Sequence, residues 1–103
     1  MPPILEIHIT PVGTGHASMG DLVASSVRLA KERGLRYHVG PMGTTVEGDL
    51  DALFELARAM HLAAFAGGAP RVITSMRLDE RRDKDLTMDY KVSSVLAKLG
   101  DTT

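Results

Sequence analysis

The segment Gly13-Thr14-Gly15 lies between a predicted strand and a predicted helix, which is where phosphate-binding loops occur. A dinucleotide-binding loop needs a third small residue three positions after the second glycine; Ser18 stands there, and the next glycine is Gly20. The Gly-Lys-Ser/Thr sequence of nucleoside triphosphate loops is absent from the chain. Two interpretations therefore stay open: a flexible turn, or a loop that closes over another small ligand with its backbone N–H groups, the Thr14 hydroxyl and His16.

No set of residues in the chain has the spacing of a catalytic or metal site. The four histidines contain no i, i+4 pair, and cysteine is missing. Ser25 and Ser26 lie in a predicted helix without an obvious base, and Gly-x-Ser-x-Gly does not occur. The one candidate general base is His8, beside Glu6 or Glu47. We therefore expect no catalytic residues, no metal and no enzymatic activity.

The composition indicates a single soluble domain, which we assign to residues 1–103. Apolar residues make up 44% of the chain and charged residues 24%. A net charge of −1, with two Tyr, two Phe and no Trp, argues against a nucleic-acid partner. The start lacks a basic region, and no apolar run approaches the ~18 residues of a membrane span. We therefore expect a cytoplasmic protein with no membrane partner and no resident cofactor.

Hydrophobic periodicity predicts four strands and three helices. Alternation of apolar and polar residues, clearest from Ile4 to Thr10, is typical of a half-buried strand. The first helix has a predicted buried stripe of Leu22, Val23, Val27 and Ala30. The predicted strands are Ile4–Val12, Leu35–Val39, Thr44–Glu47 and Arg71–Asp79, and the predicted helices are Met19–Arg33, Leu50–Ala66 and Met88–Leu99. This βαββαβ order predicts an α+β, ferredoxin-like fold: an antiparallel sheet with two helices on one face, plus a C-terminal helix.

The same alternation predicts which residues share each face of the sheet. The apolar face, expected to meet the helices, consists of Leu5, Ile7, Ile9, Tyr37, Val39, Val46, Val72, Met76 and Leu78. The opposite face, called the open face below, consists of Glu6, His8, Thr10, His38, Thr45, Glu47, Ile73, Ser75 and Arg77. The open face is either solvated, with cross-strand ion pairs, or packed against another subunit so that a polar seam or ligand pocket remains.

Four segments together resemble the small thiamine-binding-protein family. They are Pro11–Gly15, Pro41–Asp49, Asp79–Asp83 and Tyr90–Val95, and the most specific is Pro-Met-Gly-Thr-x-x-Glu-Gly-Asp at 41–49. The resemblance covers nearly the whole chain in the same order. It implies a ferredoxin-like subunit, dimers built through the sheets and commonly a tetramer. It also implies binding of thiamine or its hydroxymethylpyrimidine moiety, without known chemistry.

The side chains at these motifs have chemistry compatible with an aminopyrimidine. A carboxylate such as Glu47 could accept a hydrogen bond from the ring amine or from a protonated ring nitrogen. Threonine hydroxyls and backbone groups could add further bonds, and the Met42 thioether could pack on the ring face. The predicted ligand-binding residues are Thr10, Gly13, Thr14, His16, Met42, Gly43, Thr44, Thr45 and Glu47.

The sequence therefore predicts a non-catalytic binder of thiamine or hydroxymethylpyrimidine that forms a homo-oligomer, a dimer of dimers. The alternative is a regulatory or structural oligomeric module with the same βαββαβ order, which binds an amino acid or a protein partner. A carboxylate ligand of that kind would require an arginine or helix-start amides. Competition between the two sets of ligands separates the hypotheses.

Overall fold

The computed structural model describes residues 2–13 and 20–100, and within them it contains four strands and three helices. The order is β1 (Ile4–Val12), α1 (Gly20–Glu32), β2 (Arg36–Val39), β3 (Thr44–Glu47), α2 (Leu50–Phe65), β4 (Arg71–Asp79) and α3 (Met88–Leu99). These elements confirm the predicted βαββαβ order and the ferredoxin-like α+β fold. The predicted site residues Thr14 and His16 lie outside the described residues, as does Met19, the predicted start of the first helix.

The strands form one antiparallel sheet in the order β2-β3-β1-β4, so β1 is central. Glu6 lies opposite Thr45 on β3 and opposite Arg77 on β4. Thr45 in turn lies opposite His38 on β2. Because residues directly opposite each other project from the same face, this register confirms the predicted open face.

The core fills the space between the sheet and the helices α1 and α2. From the sheet it receives Leu5, Ile7, Ile9 and Val46, and from α2 it receives Leu53, Leu56, Ala57, Met60 and Ala64. The α2 residues recur at helical spacing, so one side of that helix is buried. Full burial of a Leu or Met side chain stabilises the fold by about 1.5–3 kcal/mol.

The outer parts of the apolar sheet face are less covered than predicted. Val39, Met76 and Leu78 lie on the predicted face, but Met76 and Leu78 are 40% and 43% exposed and Val39 is also exposed. The physical reason is position: β2 and β4 are the sheet's edges, whereas Leu5 and Val46 lie on the two central strands. These three residues are therefore on the predicted face but less buried than predicted.

Helix α3 contacts the rest of the fold mainly through its first turn. Thr87 accepts a hydrogen bond at 3.1 Å from the Tyr90 N–H, as expected of an N-cap residue, and Met88 is buried. Farther along the helix, Val92, Val95 and Leu99 are exposed. The helix is therefore fixed at one end, while its apolar stripe stays largely uncovered by the described residues.

Candidate functional site

A cavity of about 110 Å³ lies between the turn that joins β2 to β3 and the first turns of α1. We call it the hairpin cavity. The turn contributes the consecutive residues 40–44, and the sheet and helices contribute mainly apolar residues, Ile7, Ile9, Leu22, Val23 and Met60. A mostly apolar hollow with few polar groups is typical of a small-molecule site.

The hairpin turn has its shape because two glycines allow close backbone approach. The Gly40 N–H donates to the Gly43 carbonyl at 2.9 Å, which closes the turn around Pro41 and Met42. A Cβ atom at Gly43 would lie 3.2 Å from the Ile7 carbonyl oxygen, a contact tighter than most Cβ atoms make. Met42 is 84% exposed at the rim of the cavity. The turn therefore passes close to β1 at Gly43 and carries an exposed thioether at its tip.

One polar side chain of the hairpin cavity is buried without a partner. Ser26 is 7% exposed, and its Oγ atom forms no hydrogen bond among the described residues. A serine inside a helix commonly bonds a carbonyl one turn earlier, and Ser26 does not. Leaving a buried hydroxyl unsatisfied costs about 1–3 kcal/mol. Such groups are rare in folded proteins and call for a specific explanation.

Glu47 lies on the open face and contacts α3. It is 8% exposed, and its Oε2 accepts a hydrogen bond at 2.7 Å from the Met88 N–H at the start of the helix. Its Oε1 lies 3.9 Å from the Arg36 Nε. A carboxylate at a helix N-terminus is favourable because the first N–H groups have no partner inside the helix. Glu47 therefore holds α3 against the sheet.

A second hollow, which we call the open-face cleft, lies between the open face and α3 and has a volume of about 960 Å³. Its charged side chains are paired with one another: Glu6 Oε1 lies 3.7 Å from Arg77 Nη1, and Asp89 Oδ1 lies 2.6 Å from His38 Nε2. The His38 hydrogen bond, followed by the charge of Arg36, holds the pKa of Asp89 below its usual value. Lys91 and Asp79, which also line the cleft, pair with each other.

The described residues hold no group of three or more His, Cys, Asp or Glu side chains that could bind a metal ion. Among the helices in the described ranges, none is long and apolar enough to cross a membrane.

A family model described as thiamine-binding protein matches residues 5–96 of this chain. The chain belongs to this family. A UPF0045 protein of Synechocystis is 41% identical, over 89% of this chain and 75% of its own. A UPF0045 protein of Methanothermobacter thermautotrophicus is 39% identical, over 91% of this chain and 96% of the relative. The crystal structure of the hypothetical protein MJ1052 of Methanocaldococcus jannaschii is similar with a TM-score of 0.81 at 30% identity, covering 99% of this chain and all of that one.

The residues of the family's motif at 41–49 lie on both faces of the sheet. Met42, Gly43 and Thr44 line the hairpin cavity, and Thr44 is buried there. Thr45 lines the open-face cleft, and Glu47 lies on that same face. Successive residues of a strand point to opposite faces, so one short motif serves both hollows. The structure therefore brings three of the nine predicted ligand-binding residues together at the hairpin cavity.

Two other predicted ligand-binding residues of this thiamine-binding-protein chain lie away from the hairpin cavity. The Thr10 hydroxyl is 3.3 Å from the His8 Nδ1, on the open face. Gly13 has a positive φ of +84°, and a Cβ atom there would lie 3.0 Å from the Pro70 Cγ. Gly13 therefore has a structural reason to be glycine. Its part in ligand binding, like that of Thr10, stays a prediction.

Sequence reasoning missed Ser26 as a cavity residue. The predicted stripe of α1 included Val23 and Val27, yet Val23 is exposed, and the buried residues of the helix are Ser26 and Ala30. The signal in the sequence is the i, i+4, i+8 row Leu22, Ser26, Ala30, in which a serine takes an otherwise apolar position. A polar residue in a buried row is the feature that could have identified it.

Proposed function

We propose that this protein binds thiamine or its hydroxymethylpyrimidine moiety in the hairpin cavity and does not transform it chemically. The observation that carries the proposal is the place of the cavity: its turn is the Pro41–Thr44 part of the family's most specific motif. Membership of the family described as thiamine-binding protein supports the class of ligand. The hollow is mostly apolar and contains a hydroxyl with no partner among the described residues, a combination that suits a heteroaromatic ring.

The volume of the cavity supports binding of one ring, not two. In another protein, an engineered apolar cavity of about 150 Å³ takes one benzene molecule. The hairpin cavity, at about 110 Å³, is of that order and opens at its rim. In our proposal the pyrimidine ring enters the cavity between Ile7 and Met60. The remainder of thiamine stays at the rim, where the exposed Met42 thioether can pack on an aromatic ring.

The polar contacts in this proposal come from hydroxyl and backbone groups. Thr44 and the backbone of the hairpin turn line the cavity. The expectation that a carboxylate holds the aminopyrimidine stays a prediction, and Glu47 does not line this cavity because its side chain is on the other face of the sheet. The absence of catalysis is also part of the proposal: the candidate base His8 is exposed and lies close to Thr10, not to Glu47.

We also propose that the chain forms a homo-oligomer through its sheets, a dimer of dimers in the cytoplasm. Strand β4 is an edge strand of nine residues, and no other described strand pairs with its outer side. Exposed edges of this length are usually covered by another strand or chain. Met76 and Leu78 on β4, and Val92 on α3, supply exposed apolar surface for such an association.

One observation favours the alternative of a regulatory module that binds an amino acid. The open-face cleft carries acids and bases together, Glu6 with Arg77 and Asp79 with Lys91, and a zwitterionic ligand needs both. These groups already form ion pairs with one another, whereas the Ser26 hydroxyl of the hairpin cavity has no partner among the described residues. We therefore prefer the hairpin cavity as the ligand site.

The test is isothermal titration calorimetry of the full chain with thiamine, hydroxymethylpyrimidine, thiamine phosphates and a panel of amino acids. A thermal-shift series checks each result. A ligand at 100 times its Kd should add about 2.7 kcal/mol to the free energy of unfolding. The proposal expects the pyrimidine compounds to bind and the amino acids not to bind. Binding of an amino acid alone would favour the regulatory module, and binding of neither would remove the proposed function.

A further inference from the structure

Ser26 lines the hairpin cavity, and its hydroxyl is buried without a partner among the described residues. Ile7, Ile9, Leu22 and Met60 line the same hollow and have no side-chain group that forms strong hydrogen bonds. Ser26 lies in the second turn of α1, so its backbone position is fixed by the helix. A polar group in such a place gives up its bonds to water and receives nothing from the described residues in return.

We infer that Ser26 is the specificity-determining residue of the hairpin cavity, where its hydroxyl hydrogen-bonds a polar atom on the buried edge of a heteroaromatic ring. This inference rests on the proposed function and deepens it. It commits to a ligand class: a single six-membered ring with a nitrogen or an amine on the edge that enters first. A hydroxyl can donate to a ring nitrogen or accept from an amine, so both ring edges of an aminopyrimidine satisfy it.

The state of Ser26 in the free protein affects the binding of polar rings and not that of apolar rings. Because the Ser26 hydroxyl has no partner among the described residues of the free protein, an apolar ring that fills the cavity leaves the hydroxyl as it was. A ring with a correctly placed nitrogen or amine adds a hydrogen bond that neither partner had inside the protein before. The ring nitrogen or amine gives up a hydrogen bond to water when it enters, so the bond to Ser26 has a net value of about tenfold in affinity for that ring over the same ring in a cavity without the hydroxyl.

The experiment compares two ligands of equal shape on three forms of the full chain. The ligands are hydroxymethylpyrimidine and 2,4-dimethylbenzyl alcohol, in which C–H groups replace the ring nitrogens and a methyl replaces the amine. The proteins are the unmodified chain, Ser26→Ala, and the control Ser25→Ala, which removes an exposed hydroxyl from the neighbouring position of α1. Calorimetry gives the affinities, and urea unfolding without ligand gives the stabilities.

We expect Ser26→Ala to weaken hydroxymethylpyrimidine binding about tenfold while the affinity for the benzyl alcohol stays the same. Ser25→Ala should change neither. Without ligand, Ser26→Ala should unfold at the same or a higher urea concentration, because it removes an unsatisfied group. Binding of hydroxymethylpyrimidine to the unmodified chain and to Ser26→Ala with equal affinity would overturn the inference alone.

Two further outcomes would overturn the inference about Ser26. If the unmodified chain binds neither thiamine nor hydroxymethylpyrimidine, the proposed function fails, and the inference fails with it. A large loss of stability in the ligand-free Ser26→Ala protein would show that the hydroxyl is bonded within the fold, which overturns the inference whatever the affinities are.

Discussion

Glu47 Oε2 accepts a hydrogen bond from the Met88 N–H at 2.7 Å, across 41 residues of sequence. This contact joins the last residue of β3 to the first residue of α3. Glu47 is nearly fully buried, so its carboxylate is committed to the helix start. The open face of the sheet is therefore partly covered by the start of helix α3.

The first prediction concerns this contact. Glu47→Ala should lower the free energy of unfolding by about 1–3 kcal/mol, because the Met88 N–H loses its acceptor in a buried position. Glu47→Gln keeps an acceptor oxygen and should lose less. Urea denaturation measures both. If Glu47→Ala is as stable as the unmodified chain but no longer binds hydroxymethylpyrimidine, Glu47 belongs to the ligand site.

The second prediction is a pH dependence at the start of α3. The folded-state pKa of Asp89 lies below its ordinary value of 3.8, first because of the His38 hydrogen bond and then because of Arg36. A lowered carboxyl pKa stabilises the fold above the ordinary pKa, and this contribution is lost as the pH falls through the folded value. From about pH 4 downward, the unfolding temperature of the unmodified chain should fall more steeply than that of Asp89→Asn. Glu55→Gln, on an exposed part of α2, is the control. Its unfolding temperature should fall with pH as steeply as that of the unmodified chain.

The third prediction tests the close approach of the hairpin turn to β1. Gly43→Ala places a Cβ atom 3.2 Å from the Ile7 carbonyl oxygen, so the turn and β1 must separate by a few tenths of an ångström beside the cavity. We expect a loss of about 1–3 kcal/mol in stability and weaker ligand binding. Gly20→Ala is the matched control: a Cβ there meets no atom of the described residues within 4 Å, and alanine favours a helix. Equal behaviour of the two variants would show that the turn tolerates the added atom.

The fourth prediction concerns the rim of the hairpin cavity. Met42→Ala should leave the unfolding transition unchanged, because Met42 is 84% exposed. It should weaken the binding of thiamine by about 0.3–1.5 kcal/mol, the value of a sulfur–aromatic contact. Leu62→Ala, an exposed apolar residue of α2 outside the cavity lining, is the calorimetric control. Unchanged affinity in Met42→Ala would exclude the thioether from the ligand contact.

The fifth prediction addresses the oligomer. Leu78→Lys places a charge on the exposed apolar surface of β4, where it should prevent a partner chain from packing. Sedimentation equilibrium should give a mass several times that of one chain for the unmodified protein, and a smaller mass for the variant. An unmodified chain that sediments as a monomer at all concentrations would contradict the proposed dimer of dimers.

The sequence allowed the fold to be predicted because its local signals agree with one another. Apolar and polar residues alternate from Ile4 onward, and Leu53, Ala57 and Met60 recur at helical spacing. Both patterns place apolar side chains in the same core, between the sheet and the helices. The burial of Met76 and Leu78 was not predicted correctly: both were expected under the helices, and both are exposed. Periodicity tells which face a residue occupies, but not whether a helix extends over the sheet's edge.

The candidate site was only partly predictable for a related reason. A motif is a stretch of chain, whereas a cavity collects residues from separate elements. The block at 41–49 led to Met42, Gly43 and Thr44, but also to Glu47 on the opposite face. Ser26 belongs to no motif, and the absence of a partner for its hydroxyl is visible only when the surrounding side chains are in place.

The methionine methyl groups allow the most direct test of the central claim, that the ligand occupies the hairpin cavity. Met42 and Met60 line that cavity, and Met88 lines the open-face cleft. In methyl NMR of the full chain with ¹³C-labelled methionine, titration with hydroxymethylpyrimidine should shift the Met42 and Met60 signals and leave that of Met88 in place. A shift of the Met88 signal while Met42 and Met60 stay unchanged would move the site to the open face and contradict the account.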